Sequence, residues 1–157
     1  MKILGIDPGY GTIGWGIIDC TKGKLTLIDY GAITTPAGER FEDRLEQIYD
    51  DILKIIDNYK PDKVAFEELY FSKNITTGIK VAHARGVLVL AARQRGLEIF
   101  EYGPMQVKQA IVGYGRAEKR QMMEMVRFLL GLSAIPRPDD AADALAIAIC
   151  NAHVMNY

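Results

Sequence analysis

The sequence contains few residues of the kind that build cross-linked or zinc-held folds. Its 157 residues include 2 cysteines, Cys20 and Cys150, without CxxC spacing, and 2 histidines, His83 and His153, without the spacing of a metal site. A chain of this length buries enough surface to fold without disulfides. These absences exclude a disulfide-stapled mini-protein, and they predict a reduced, cytoplasmic protein.

Long hydrophobic runs are also missing. The most apolar stretch, residues 141–149, is interrupted by Asp143 and is too short to cross a bilayer. The composition, 49% apolar and 25% charged, is that of an ordinary globular protein, and no repeat or linker divides the chain. We therefore expect one domain over residues 1–157 and no membrane span.

The net charge is only −1, but the charges are unevenly distributed. Residues 72–137 hold 11 Lys and Arg against 4 Glu, a net +7, whereas the remaining residues hold 8 basic and 16 acidic side chains, a net −8. A basic region beside an acidic one favours a nucleic-acid partner more than the total charge does. A solvated surface with uneven charge is the alternative that composition leaves open.

The apolar pattern predicts five strands and five helices. The predicted strands are residues 2–6, 12–18, 25–33, 63–69 and 97–102. The predicted helices are residues 40–59, 75–95, 104–111, 117–130 and 139–154. Three strands joined by short turns, followed by strands that alternate with helices, imply an α/β domain. Its sheet is mixed, with an antiparallel edge and helices on both faces.

Acidic residues occupy three places that such a fold can bring together. They are Asp7 after the first strand, Glu67 or Glu68 near the end of the fourth, and Asp139, Asp140 and Asp143 at the start of the last helix. Turn formation and the helix dipole explain these acids singly. A carboxylate in a strand that is apolar on both faces, such as Glu67, needs a partner or a metal ion.

Convergence of these acids requires a cation. Two carboxylates about 4 Å apart repel by roughly 4 kcal/mol at an effective dielectric constant near 20. A ligand set made only of oxygen atoms selects Mg²⁺ or Mn²⁺ over zinc. The chemistry predicted from the residues is metal-assisted attack on a phosphodiester. The residues alone do not distinguish Glu67 from Glu68, or Asp140 from Asp139.

Six motifs spread along the chain carry a family resemblance. They are Gly5-Ile-Asp7-Pro-Gly9 with Gly14 and Gly16, Phe66-Glu67-Glu68-Leu-Tyr70-Phe71 with Lys73-Asn74, Ala84-Arg85-Gly86, Gln106-Val-Lys108-Gln109, Gly113-Tyr-Gly115-Arg-Ala-Glu118-Lys119, and Asp140-Ala-Ala-Asp143-Ala-Leu-Ala-Ile147. In this combination the chain resembles the RuvC-type Holliday junction resolvases of bacteria, which have an RNase H-like fold.

The resemblance implies the roles of the candidate site residues. By this resemblance, the four catalytic acids that bind metal are Asp7, Glu67, Asp140 and Asp143. Asp139 and Glu68 are then not metal ligands. They would hold Mg²⁺, for which Mn²⁺ substitutes, as two ions per active site. Lys108 and Lys119 match basic positions near the scissile phosphate, where an ammonium group offsets developing charge.

The resemblance also implies contacts with DNA and with proteins. The DNA-binding candidates are Tyr70, Phe71, Lys73, Arg85, Lys108, Arg116 and Lys119. The family acts as a homodimer that makes symmetric nicks in a four-way junction and works with branch-migration proteins of the RuvA and RuvB type. The predicted helix over residues 75–95, with small Ala82 and Gly86, is the candidate dimer contact; packing within one chain is the alternative.

Other functions compete with this interpretation. An RNase H-like nuclease that cuts RNA or RNA–DNA hybrids would share the acids, but not Tyr70-Phe71 together with the two lysines. An actin-like ATP-binding domain would share the glycine-rich turn after Asp7, but 157 residues leave no space for its second domain. A junction-binding protein without activity would not need the complete set of acids.

Overall fold

The computed structural model of the chain describes residues 1–69 and 74–157, which form one mixed sheet and five helices. The strands are β1 (Lys2–Asp7), β2 (Thr12–Thr21), β3 (Lys24–Thr34), β4 (Lys63–Glu67) and β5 (Glu98–Tyr102). The helices are α1 (Phe41–Tyr59), α2 (Ile75–Gln94), α3 (Pro104–Val112), α4 (Lys119–Leu129) and α5 (Asp139–Met155). The predicted α/β class and the five-stranded mixed sheet are confirmed.

The strand order is β3-β2-β1-β4-β5. The pairs β1–β2 and β2–β3 are antiparallel, and the pairs β1–β4 and β4–β5 are parallel. The parallel pairs are joined through helical crossovers, as parallel strands require. Strands β1, β4 and β5 therefore end at the same edge of the sheet, and this edge positions the candidate site.

The sheet separates two hydrophobic cores, because successive side chains of a strand point to opposite faces. In β1, Ile3 packs with α3, α4 and α5, whereas Leu4 and Ile6 pack with α1 and α2. The same alternation in β2 places Ile17 in the core beneath α1 and α2 and Ile18 in the core beneath α3, α4 and α5. The prediction of helices on both faces is confirmed.

The helix boundaries follow local signals in the sequence. Helix α1 has apolar residues at three- and four-residue spacing, and it ends where Lys60 takes a left-handed conformation and its N–H donates to the Ile56 carbonyl. Gly96, which follows the C-cap residue Arg95 of α2, has a φ of +73°, a conformation that glycine adopts readily. Strand β4 is two residues shorter than predicted, because its pairing ends at Phe66 with β1 and at Glu67 with β5. Beyond this point the Glu68 N–H still donates to the Tyr102 carbonyl at 2.9 Å.

Helix α2 is the one helix in the described ranges that is long and apolar enough to cross a membrane. The search of the sequence for a membrane span considered only residues 141–149 and therefore missed α2. Core helices of globular proteins pass the same test, so the signal is weak. Ala84 and Leu88 of α2 are fully buried in the core beneath α1, and Arg85 of the same helix pairs with Glu101 of β5. These contacts are those of a helix packed on a sheet.

Candidate active site

Two of the predicted acids lie at the common edge of β1 and β4. Asp7 is the last residue of β1, and Glu67 is the last residue of β4. The two strands are parallel neighbours, with Ile6 opposite Phe66. The parallel register therefore carries the carboxylates of Asp7 and Glu67 out of the apolar interior at the same edge, where both side chains are half-buried.

Glycines of β1 and β2 let α5 bring the other acids to this edge. A Cβ atom on Gly14 would lie 1.9 Å from the carbonyl oxygen of Asp140, and one on Gly5 would lie 2.0 Å from the carbonyl oxygen of Ala144. These distances are too short for any larger residue unless the helix moves. The glycines in the first motif thus explain why α5 can lie directly on the sheet, with its buried face made largely of alanine.

Three carboxylates meet where α5 begins. Each of Asp7, Asp140 and Asp143 places a carboxylate oxygen within 4.8 Å of those of the other two. We call these three residues the acid cluster. Glu67 does not meet the same distance limit, but it lies close enough for its charge to act on Asp7, and the charge of Asp143 acts on Glu67.

The cluster is electrostatically strained without a cation. Burial raises the pKa of Asp7 to about 8, and the negative charges of its acidic neighbours add to this shift. Burial and the charge of Asp143 also raise the pKa of Glu67, and burial raises the pKa of Asp143. Carboxyl groups that resist ionisation because they lie together in a desolvated place fit a site built for a positive ion.

Two lysines border the acids. Nζ of Lys119 lies 3.5 Å from Asp143 and 3.6 Å from Asp139. Burial lowers the pKa of Lys119, but the two carboxylates outweigh it, so the pKa is raised. Lys108 makes no ion pair with any residue in the described ranges, and its charge reduces the upward shift of the pKa of Glu67.

A cavity of about 300 Å³ adjoins the acids between α3, α4 and α5. Glu67 and Asp143 lie on one side of it, Lys108 and Lys119 also line it, and apolar side chains such as Met122 complete the wall. The combination of carboxylates that can hold a divalent cation and ammonium groups that can hold an anion suits a bound phosphate.

The predicted DNA-binding residues differ in solvent exposure and in ion pairing. Arg116 is exposed in the connection between α3 and α4 and makes no ion pair with any residue in the described ranges. Arg85 is mostly buried, and its Nη2 lies 2.6 Å from the carboxylate of Glu101. This pairing gives no support to Arg85 as a DNA contact. Tyr70, Phe71 and Lys73 lie outside the described residues.

Sequence reasoning missed the contact between Asp139 and Lys119. The resemblance leaves Asp139 outside the ligand set, but it does not predict that the Asp139 carboxylate lies 3.6 Å from the Lys119 ammonium. The two residues are 20 positions apart in sequence. The loop between α4 and α5 brings them together, and no spacing rule in the sequence signals this contact.

Comparisons with known proteins show what the chain as a whole is similar to. A family model described as crossover junction endodeoxyribonuclease RuvC matches residues 3–151. The crossover junction endodeoxyribonuclease RuvC of Chloroflexus aurantiacus is 58% identical over 153 residues, which cover 98% of this chain and 93% of the relative.

The fold is also similar to that of solved structures. A Thermus thermophilus RuvC structure has a TM-score of 0.93 at 38% identity, covering 99% of this chain and 96% of that chain. A T. thermophilus RuvC in complex with a Holliday junction substrate has a TM-score of 0.91 at 34% identity, with the same coverage of both chains.

Proposed function

The chain belongs to the RuvC family of crossover junction endodeoxyribonucleases, and we propose that it cuts Holliday junctions at the acid cluster and Glu67. The observation that carries this assignment of the site is the convergence of three carboxylates from β1 and α5 within 4.8 Å. An all-oxygen site of this kind, beside two lysines, is suited to hydrolysis of a phosphodiester.

The acid cluster fits Mg²⁺, with Mn²⁺ as a substitute. Its donors are carboxylate oxygens, which these hard cations prefer, and a positive ion offsets the burial and the mutual repulsion that together raise the pKa of Asp7. Two bound ions would supply an activated water and stabilise the leaving oxygen. Asp7, Asp140 and Asp143 would hold them, with Glu67 as the fourth ligand.

Lys108 and Lys119 serve the scissile phosphate in this proposal. Both line the cavity beside the acids, and an ammonium group placed there stabilises the charge that develops on the phosphate oxygens. The Asp139 carboxylate lies 3.6 Å from the Lys119 ammonium and adds a second negative charge beside it. Arg116, in the connection between α3 and α4, adds a further positive charge near these lysines. Tyr70, Phe71 and Lys73 remain candidate DNA contacts predicted from the sequence.

We place the homodimer contact on the outer side of α2. Ile75, Ile79 and Leu90 are exposed on this helix, and a Cβ atom on Gly86 would meet nothing within 4 Å. Their spacing puts them on one side of the helix. In sedimentation experiments Ile79→Glu should shift the protein toward monomer. Phe128→Glu, which changes an exposed apolar residue on α4, should leave the distribution unchanged.

A dimer with two equal sites would make symmetric nicks in two strands of a four-way junction. The bacterial relatives act on DNA, and we extend to this chain a cytoplasmic location and cooperation with branch-migration proteins of the RuvA and RuvB type. Co-sedimentation with such proteins on junction DNA tests the last point. Equal recovery of this protein with and without them would contradict it.

One experiment tests the substrate. Labelled four-way junction, linear duplex and RNA–DNA hybrid are incubated in parallel with Mg²⁺ or with chelator. We expect paired cuts in the junction only, and only with Mg²⁺. Cutting of the hybrid in preference to the junction would favour the alternative RNA-directed nuclease and would contradict the proposal.

A further inference from the structure

Arg44 of α1 is a buried cation without an acidic partner. Its side chain is 8% exposed, and no carboxylate in the described ranges lies within 4.0 Å of it. Its Nε donates a hydrogen bond to Oγ1 of Thr35 at 3.0 Å, and Nη2 donates to the Thr35 carbonyl oxygen. Buried arginines are normally paired with negative charge, so an uncompensated one indicates that an anion is expected nearby.

A second cation, Lys80, lies against the same Tyr10 ring as Arg44. The guanidinium carbon of Arg44 lies 3.9 Å from the centre of the Tyr10 ring, and Nζ of Lys80 lies 5.5 Å from it. Lys80 is exposed and makes no ion pair within the part of the chain that the structure describes. The Tyr10 hydroxyl donates no hydrogen bond within that part either. Two positive charges thus lie against the Tyr10 ring, and residues 1–69 and 74–157 offer neither of them an acidic partner within 4.0 Å.

The surroundings fix Tyr10 close to the acid cluster. Its carbonyl oxygen accepts a hydrogen bond from Oγ1 of Thr35 at 3.0 Å, and the Thr35 N–H donates to the carbonyl of Gly11 at 3.0 Å. The Tyr10 ring also packs on Phe41 of α1. Tyr10 follows Asp7 by three residues, so their Cα atoms are at most about 11 Å apart. Successive phosphates on one DNA strand advance about 3.4 Å along the helix axis, so a strand cut at the cluster has further phosphates within this reach.

We infer that Tyr10, Arg44 and Lys80 form a second phosphate site, which binds a backbone phosphate of the junction strand near the scissile one. This inference rests on the proposed function, because that function brings the strand to this edge of the sheet. The Lys80 ammonium and the Tyr10 hydroxyl contact the phosphate oxygens. Arg44 lies behind the ring, where low solvent exposure strengthens the attraction of its charge for the phosphate.

Binding of a labelled four-way junction in chelator, measured over a range of salt concentrations, tests the site without cleavage. Lys80→Gln should weaken binding about threefold to tenfold and lower the steepness of log K against log salt by about 0.9, the share of one phosphate contact. Lys80→Arg keeps the charge and should restore both values. Tyr10→Phe removes only a neutral hydroxyl, so it should weaken binding without changing the salt dependence.

Lys54→Gln is the matched control. Lys54 is an exposed lysine of α1 that lies among acidic side chains, and its removal changes the net charge of the protein by the same amount as Lys80→Gln. An equal loss of affinity and of salt dependence in Lys54→Gln and Lys80→Gln would overturn the second phosphate site. Failure of the unaltered protein to bind junctions at all would instead contradict the proposed function.

Discussion

Nζ of Lys119 lies 3.5 Å from Oδ2 of Asp143. The pair joins the two halves of the site, since Asp143 belongs to the acid cluster and Lys119 lines the neighbouring cavity. Because the acids already hold the Lys119 ammonium beside the cavity, the proposed role of Lys119 at the phosphate needs no rearrangement of this side chain.

Replacement of Lys119 by alanine should slow nicking of a saturating amount of junction by about 10²-fold to 10³-fold, the usual effect of removing one preorganised group that stabilises developing charge. Single-turnover rates with Mg²⁺ measure this effect. The matched control is Lys54→Ala, which removes an exposed lysine of α1 and should keep the rate. A Lys119→Ala rate within twofold of the control would contradict the role of Lys119.

The two adjacent acids at the start of α5 should behave differently. Asp140→Asn removes a member of the acid cluster and should abolish Mg²⁺-dependent nicking, whereas Asp139→Asn removes only a partner of Lys119 and should keep nicking within about tenfold. Asp7→Asn should abolish nicking while junction binding persists, because in the proposed site Asp7 holds metal rather than DNA. Gel-based nicking and binding assays separate the two effects. The reverse order of Asp139→Asn and Asp140→Asn would show that the ligand set is assigned incorrectly.

The metal-free protein should lose stability as the pH rises from about 4 to about 8. The pKa of Asp7 is about 8 in the folded protein and 3.8 as an ordinary side chain, so in this range the folded state binds the proton more tightly than the unfolded chain. The free energy of unfolding therefore falls with rising pH. The raised pKa values of Glu67 and Asp143 act in the same direction.

Thermal denaturation in chelator at several pH values measures this trend. Asp7→Asn should flatten it and should raise the melting temperature at pH 8, because the buried charge is gone. Mg²⁺ should also flatten the trend, since it stabilises the ionised carboxylates. A melting temperature of the metal-free protein that rises steadily between pH 5 and pH 8, equally in Asp7→Asn, would contradict the electrostatic account.

Gly14→Ala should damage both the fold and the site. Its new methyl group would lie 1.9 Å from the carbonyl oxygen of Asp140, so α5 must move away from β2. We expect a loss of about 1–3 kcal/mol of stability, the usual cost of overpacking, together with lower nicking. Gly38→Ala is the control, because a Cβ atom there meets nothing within 4 Å. Urea denaturation checks the first effect, and equal midpoints for the two variants would contradict it.

Local patterns in the sequence were sufficient to predict most of the architecture. Apolar spacing predicted all ten elements, and the order of strands and helices predicted the mixed sheet. Asp7, and an acid at position 67 or 68, could be anticipated because acids stand at the ends of apolar strands; the choice of Glu67 over Glu68 needed the family motif. The choice of Asp140 over Asp139 needed the family motif, because adjacent positions of a helix differ only in direction, which the packing of α5 on the sheet determines.

Contacts set by packing were beyond sequence reasoning. The buried Arg44 beside Tyr10 depends on how α1 meets the turn after β1, and the Arg85–Glu101 pair depends on how α2 crosses β5. A charged residue in a helix pattern is ordinarily assigned to solvent. Only the three-dimensional arrangement shows that these two arginines are largely withdrawn from it.

The helix that carries Asp140 and Asp143 follows every other element along the chain, whereas Asp7 ends the first strand. During translation, the ribosome releases Asp7 and Glu67 long before α5 emerges. A nascent or prematurely terminated polypeptide that lacks residues 139–155 therefore cannot assemble the acid cluster, and in our proposal it cannot cut DNA.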